Sequence, residues 1–304
     1  MKAIRFDRYG PPEVLALVDV DEPHPRAGQV RIAVRAAGVN GLDGKIRAGH
    51  LHEFFGVTFP SGTGSDAAGI VDEVGDGVTD VQIGDAVFGV GRGVLAEYAV
   101  LQAWALIPDG LSFEAAAGYP IPVETAFRVL EQVGVEPGQT LLVSGASGGV
   151  GTAVVQIARD RNITVIGTAG PANQNYLRSL GAVPTTYGDG LVDRVRALAP
   201  DGIDAALDIS GAGVIADCIK LTGDPSKVLS IADFTAVQHG AKVSSEATDI
   251  AAALRDAAML HTKGVLHIPV EHAFTLADAA AAQAHNDAGH AAGRTVVVVP
   301  GDLR

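Results

Sequence analysis

Two textures of hydrophobic patterning divide the chain. Over roughly the first third, apolar and polar residues alternate in short runs. Val30, Ile32 and Val34 fall on one face of a strand and Arg31 and Arg35 on the other, the period of two that a half-buried sheet requires. Further strands are expected at 69–73, 86–89 and 97–101, with Gly or Pro recurring about every ten residues between them. Such a pattern builds an antiparallel, partly open β-region. From Ser112 the period changes. Ser112 caps a helix with Glu114 in its first turn, and Pro122 stands in the first turn of a helix running to 133. Beyond the Pro137-Gly138 turn, a largely apolar run at 140–144 reads as a buried strand, glycines follow, and 150–159 is helical. Strands at 163–167, 205–209 and 228–231 then alternate with helices at 171–180 and 191–199, which predicts a parallel sheet with right-handed crossovers. The tail carries an Ala-rich helix at 276–285 and a strand at 295–299, and periodicity leaves open which half it joins.

Composition removes several classes of function. With 47% hydrophobic and 19% charged residues among 304, the chain is expected to be compact rather than disordered. Its 35 acidic against 22 basic side chains repel phosphate backbones and anionic membrane surfaces, so neither nucleic acid nor a membrane is the expected partner. A single cysteine, Cys218, excludes an internal disulfide and a cysteine-cluster zinc site, and suits a reducing cytoplasm. No run of about 18 apolar residues occurs, and charges interrupt the stretch after Met1, so a soluble, unsecreted protein is expected.

The sharpest chemical feature is Gly145-Ala146-Ser147-Gly148-Gly149-Val150-Gly151, placed between a strand and a helix. Small residues there let N–H groups at the helix start approach a pyrophosphate, whose charge the helix dipole favours. Against the dinucleotide fingerprint, Ala146, Gly148 and Gly151 occupy the three glycine slots, with alanine in the first. Ala146, Ser147, Gly148, Gly149 and Val150 are therefore cofactor-binding candidates; the alternative is a tight turn with no ligand. Charge selects the dinucleotide, because an NAD site places a carboxylate about 20 residues past the glycines and that carboxylate would repel a 2′-phosphate. Here Thr168 holds the place, and Ile163 through Tyr187 contain no acid at all. The gap favours NADPH over NADH, with Thr168, Asn173 and Tyr187 among the donors for the phosphate; the alternative is a helix with a neutral solvent face. Hydrolytic and phosphate-transfer signatures are absent, with no Gly-x-Ser-x-Gly, no His-Glu-x-x-His and no Gly-Lys-Ser/Thr, and the short-chain reductase alternative fails because no tyrosine has lysine four residues on.

Asn40-Gly41-Leu42-Asp43, the run from Gly64-Ser65-Asp66 to Val74-Gly75, Gly84-Asp85-Ala86-Val87-Phe88-Gly89, Leu95-Ala96-Glu97-Tyr98 and Pro108-Asp109-Gly110 resemble, in order, the N-domain motifs of the medium-chain dehydrogenase/reductases. The opening Tyr9-Gly10-Pro11-Pro12-Glu13 resembles their zinc-independent quinone oxidoreductase branch, the zeta-crystallin-like one. The resemblance implies an α/β fold with two parts. A doubly wound Rossmann NADPH-binding domain spans 122–264, and a GroES-like β-rich substrate domain is formed by 1–121 and completed by 265–304, with the cofactor cleft where they meet. It also implies a homodimer, and hydride transfer from NADPH to a quinone or α,β-unsaturated carbonyl.

Zinc-dependent members place Cys at the position of Asn40 and His-Glu at Ser65-Asp66, so the resemblance implies no metal here. Asn40 matches an asparagine that faces nicotinamide and substrate. Lys45 stands where many quinone reductases have tyrosine; it is a candidate to stabilise or protonate a developing enolate, with a solvated surface lysine as the alternative. Thr125, Gly211, Phe234 and Arg294 match positions that touch the nicotinamide or the phosphates. Two rival readings stand beside this one: a non-catalytic NADPH-binding redox sensor or scaffold, and an alcohol dehydrogenase-type enzyme.

Overall fold

The structure, a computed structural model, describes residues 1–54, 56–244, 247, 249–289 and 292–300. The N-terminal segment forms β1 (Lys2–Phe6), β2 (Ala16–Asp19), β3 (Val30–Val39), α1 (Gly41–Arg47), β4 (Ser61–Gly62), β5 (Asp66–Val74), β6 (Ala86–Gly91), β7 (Tyr98–Leu106) and α2 (Phe113–Ala117). The middle segment forms α3 (Pro120–Val133), β8 (Thr140–Ser144), α4 (Gly149–Asp160), β9 (Thr164–Thr168), α5 (Gln174–Leu180), β10 (Val183–Thr185), α6 (Leu191–Leu198), β11 (Ala205–Asp208), α7 (Ile215–Thr222), β12 (Val228–Ser230) and β13 (Lys242–Val243). Then follow α8 (Ile250–Thr262), β14 (Val270–Thr275), α9 (Ala279–Asp287) and β15 (Arg294–Val298).

Contacts divide the chain into two units. The first joins Met1–Ile121 to Ile250–Thr262 and Ile268–Arg304; the second joins Pro122–Asp249 to Lys263–His267. The tail thus belongs with the N-terminal segment. Helix α8 does too, although the sequence reading assigned it to 122–264. Its buried residues Ala253, Leu254, Ala257 and Leu260 form one apolar stripe, which packs against β7. Periodicity reveals such a stripe but not which sheet receives it.

In the first unit the strands run β14-β15-β3-β5-β6-β7, and β7 also pairs with β3, so four strands close on themselves where a partly open sheet was expected. Register shifts at Arg31/Ile32 and Val34/Ala36 bend the long strand β3. Its first residues then reach β7 while its last pair with β15. The closing pairs are antiparallel, and β14 lies parallel to β15. Inward residues Ile32, Val34, Val71, Val87 and Leu101 fill the interior with Val297 of the tail.

The second unit is a six-stranded parallel sheet ordered β10-β9-β8-β11-β12-β13, the doubly wound order in which the chain leaves the centre once to each side. Strands covered on both faces need continuous apolar runs. Leu142, Ile166, Ala206 and Val228 supply them, packed on Leu191 and Val195 of α6 and on Ile215 and Cys218 of α7. Among the described residues, no helix is long and apolar enough to cross a membrane.

Candidate functional site

The carboxyl ends of the parallel strands gather most of the cofactor candidates. The turn after β8 holds Gly145, Ala146, Ser147 and Gly148; β9 ends at Thr168 with Asn173 just beyond; Tyr187 follows β10, Gly211 follows β11 and Phe234 follows β12. The order reverses between β8 and β11, the switch point where open α/β sheets bind ligands. There the hydroxyls of Ser144 and Ser210 meet across the two strands at 2.8 Å.

Local sterics explain the glycine pattern. Gly145 has φ +85°, which only glycine adopts freely. A β-carbon on Gly151 would overlap the Gly145 carbonyl oxygen and lie 2.6 Å from the Ala146 Cα, so α4 can approach the turn only without one. A β-carbon on Gly148 would instead meet nothing nearer than 3.9 Å, so the backbone there is open. Alanine in the first slot is compensated. Its buried methyl lies against Gly167 of β9, where a β-carbon would come within 2.8 Å of it. The helix N-terminus behind Gly148, Gly149 and Val150 thus carries what a diphosphate needs: free N–H groups, a positive dipole end and room for close approach.

The surrounding polar groups are largely committed to the protein itself. Buried Thr168 accepts the Gly145 N–H through its hydroxyl at 3.3 Å, so it braces the glycine turn. Asn173 reaches Ser147 at 3.5 Å. Gly211 donates its N–H to Asp208 at 2.9 Å, and the same carboxylate takes the hydroxyls of Ser210 and Ser230. Asp208 was missed by sequence reasoning; its signal is one acid closing the apolar strand Ala205–Asp208. Phe234 is half-buried at the start of a short 3-10 turn capped by Asp233. Thr125 on α3 lies within the Glu124–Arg128 ion pair, accepting from Arg128 at 3.3 Å.

In the first unit, strand register brings three distant residues together. β15 pairs with β3, which pairs with β5, and their adjoining ends carry Arg294, Asn40 and Asp66. Arg294 donates to Asn40 Oδ1 at 3.0 Å and to Asp66 Oδ2 at 2.9 Å; Asn40 Nδ2 donates to the same Asp66 oxygen, and the Ile121 N–H donates to Asp66 Oδ1. Glycines make room for the guanidinium: a β-carbon on Gly38 would stand 2.7 Å from Arg294 Nη2, and one on Gly118 3.1 Å from its Cγ. All of Arg294, Asn40, Asp66 and the neighbouring Asp43 are buried. Arg294, a candidate for contact with the nicotinamide or the phosphates, spends two nitrogens inside this cluster, and both ends of the Asn40 amide are held. Lys45 lies on α1, half-buried, with no hydrogen bond or ion pair to its ammonium among the described residues. The helix is anchored by buried Arg47, which bonds the Gly10 carbonyl, Gln283 and Asp287.

Burial pushes the Asp43 carboxyl up to about 7, opposed by the Asn40 N–H at 2.8 Å and reinforced by the negative charge of Asp66. Burial likewise raises Asp66 to about 6 against the pull of Arg294, and lowers the Arg294 guanidinium. A carboxyl whose folded pKa exceeds its unfolded one binds its proton more tightly when folded, so stability declines as pH rises from about 4 through about 7. Asp43→Asn keeps an oxygen for the Asn40 N–H without the charge. It is expected to stabilise the protein more at pH 8 than at pH 5, by on the order of 1–3 kcal/mol, read from urea midpoints. Equal effects at both pH values would refute the assignment.

Comparison with known proteins follows the same division. Residues 26–110 match the family described as alcohol dehydrogenase GroES-like domain, and residues 149–235 the family described as zinc-binding dehydrogenase. The chain is 35% identical over 241 residues to the quinone oxidoreductase of Rattus norvegicus, covering 76% of this chain and 73% of that protein. The solved structure of the quinone oxidoreductase from Coxiella burnetii superposes with a TM-score of 0.85 at 31% identity, over 99% of each chain. A mycobacterial protein complexed with NADPH gives 0.83 at 27% identity, over 98% of this chain and 100% of that one.

Proposed function

Because the chain belongs to the quinone oxidoreductase branch of the medium-chain dehydrogenase/reductase superfamily, we propose that it is an NADPH-dependent reductase delivering hydride, without zinc, to a quinone or an α,β-unsaturated carbonyl. The observation that carries this reading is the glycine turn at the sheet's switch point, open at Gly148 and without a carboxylate anywhere along 163–187. NADPH bound to the mycobacterial relative supports the same cofactor.

When bound, the nicotinamide supplies the hydride. The chain's own residues do the rest. N–H groups at the start of α4 hold the diphosphate, and the acid-free stretch after β9 leaves a 2′-phosphate unopposed. Lys45, whose ammonium has no protein partner among the described residues, can stabilise or protonate an enolate, as solvent can.

The donors in the first unit do not suit zinc. Asn40 is a poor ligand, and Asp66 is already paired with a buried guanidinium 2.9 Å away, whose charge repels a dication. An acceptor that is already electrophilic and conjugated needs positioning more than a Lewis acid.

Turnover decides the matter. NADPH should be consumed with at least one member of a panel of small quinones and enones, undiminished by a chelator, while simple alcohols with NADP⁺ give nothing. Thermal stabilisation by NADPH without turnover on any acceptor would point instead to a non-catalytic binding protein. Loss of activity to the chelator would restore the metal-dependent alternative.

A further inference from the structure

We infer that Arg194 is a positioning residue for cofactor choice: it straps the loop after β10 so that the Tyr187 phenol stands at the carboxyl end of β9, where a 2′-phosphate would be read. The inference rests on the NADPH reading above.

The residue just past the second strand of a dinucleotide fold distinguishes a ribose hydroxyl from a 2′-phosphate. At that place here, the polar side chains nearest in sequence make bonds within the protein. The Thr168 hydroxyl accepts the Gly145 N–H, the Gln174 amide donates to the carbonyls of Ala169, Gly170 and Thr185, and one Arg178 nitrogen donates to Asn175. Tyr187 is different. It is half-exposed, its hydroxyl has no hydrogen bond among the described residues, and that oxygen lies 3.6 Å from where a β-carbon of Gly170 would stand. The phenol of one loop is thus brought beside the end of another strand, over a residue with no side chain.

Within the loop itself a single turn bond runs from the Leu191 N–H to the Gly188 carbonyl at 3.1 Å among the described residues. Gly188 and Gly190 both have positive φ, at +84° and +77°, so the backbone has wide conformational freedom. Arg194 removes that freedom. Its guanidinium donates to four successive carbonyls, those of Thr186 at 2.9 Å, Tyr187 at 3.3 Å, Gly188 at 3.2 Å and Asp189 at 2.6 Å. Among the described residues no carboxylate pairs with it, and its buried Nε has no partner. Asp189 and Asp193, the acids nearest in sequence, are exposed. A planar fork with five donors can span such a row of oxygens, and a lysine ammonium cannot. The uncompensated positive charge further favours a dianionic phosphate nearby.

The test compares NADPH and NADH dissociation constants, by calorimetry on the full chain, for the wild type and for Arg194→Ala, Arg194→Lys and Tyr187→Phe. Arg196→Ala, exposed on the same helix, is the control. Both Arg194 variants and Tyr187→Phe should lose about tenfold to hundredfold in NADPH affinity, with NADH changed by less than about twofold. The Arg194→Ala/Tyr187→Phe double variant should lose little more than either alone, since both remove the same contact. Equal losses for both dinucleotides, or an unchanged NADPH-to-NADH ratio, would overturn the inference while leaving the NADPH reading intact. A wild type without preference would defeat that reading and the inference with it. Should Arg194→Ala fail to fold, Arg194→Lys decides, because it keeps the charge and removes the fork that spans the four carbonyls.

Discussion

Asp66→Ala is expected to destabilise the first unit by about 3–5 kcal/mol, the cost of leaving a buried charge without its partner, and so to remove much of the stability a domain ordinarily has. Three donors lose their acceptor together: the Arg294 guanidinium, the Asn40 amide and the Ile121 N–H. The reverse change, Arg294→Met, should cost less. A carboxyl abandoned in an apolar site can take up a proton and become neutral, whereas a guanidinium has no such escape. Asp66 is already raised to about 6 with its partner present, so without it the group should stay protonated to higher pH. The Arg294→Met penalty should therefore grow between pH 5 and pH 8, while that of Asp66→Ala shrinks, because the wild-type carboxyl itself loses stability as pH rises through about 6. The double variant should be more stable than Asp66→Ala alone, because the uncompensated charge is gone. Guanidinium unfolding at the two pH values measures all four proteins. Equal, pH-independent losses for the two single variants would show that the pair is held by packing and not by charge.

This cluster also marks what a sequence can and cannot reveal. The glycine turn was legible because its chemistry is local: strand, small residues and helix lie within a dozen or so positions, and each glycine answers a short-range steric demand. The doubly wound sheet was legible for a similar reason, since apolar strands and amphipathic helices alternate at short spacing. The contacts of Asp66 with Asn40 and Arg294 cross 26 and 228 residues and depend on the register of three strands. A local trace is Gly38 and Gly118, where added β-carbons would press on Arg294 as well as on the carbonyl oxygens of Ala117 and Ala115. The resemblance placed Arg294 at the nicotinamide or the phosphates and the acid-free stretch made Thr168 a donor for a 2′-phosphate; the bonds that both make within their own units were not legible. The closure of β3 on β7 was hidden for a related reason. Alternation fixes which face of a strand is buried, but bulges decide how far it bends. Arg194 escaped notice because it resembles any arginine on the polar side of a short helix; its role emerges from the carbonyls it meets.

The two glycines of the turn separate structure from ligand binding, and substituting each by alanine should separate the effects. Gly151→Ala places a methyl group against the Gly145 carbonyl and the Ala146 backbone, neither of which can yield without moving β8 or α4. Overpacking of this kind costs about 1–3 kcal/mol, and the displaced helix start should also weaken NADPH binding. Gly148 has φ −73° and ψ 175°, which alanine adopts without strain, and the space above it is open. Gly148→Ala should therefore leave unfolding unchanged within about 0.5 kcal/mol, the range of an innocuous surface change. Its methyl would stand where a pyrophosphate must come close to the backbone, so NADPH affinity should fall by tenfold or more, roughly 1.4 kcal/mol. Denaturant midpoints give the first quantity and calorimetric titration the second. If Gly148→Ala bound NADPH as well as the wild type, the turn would be a structural tight turn and nothing more, and the cofactor would have to be sought elsewhere on the molecule.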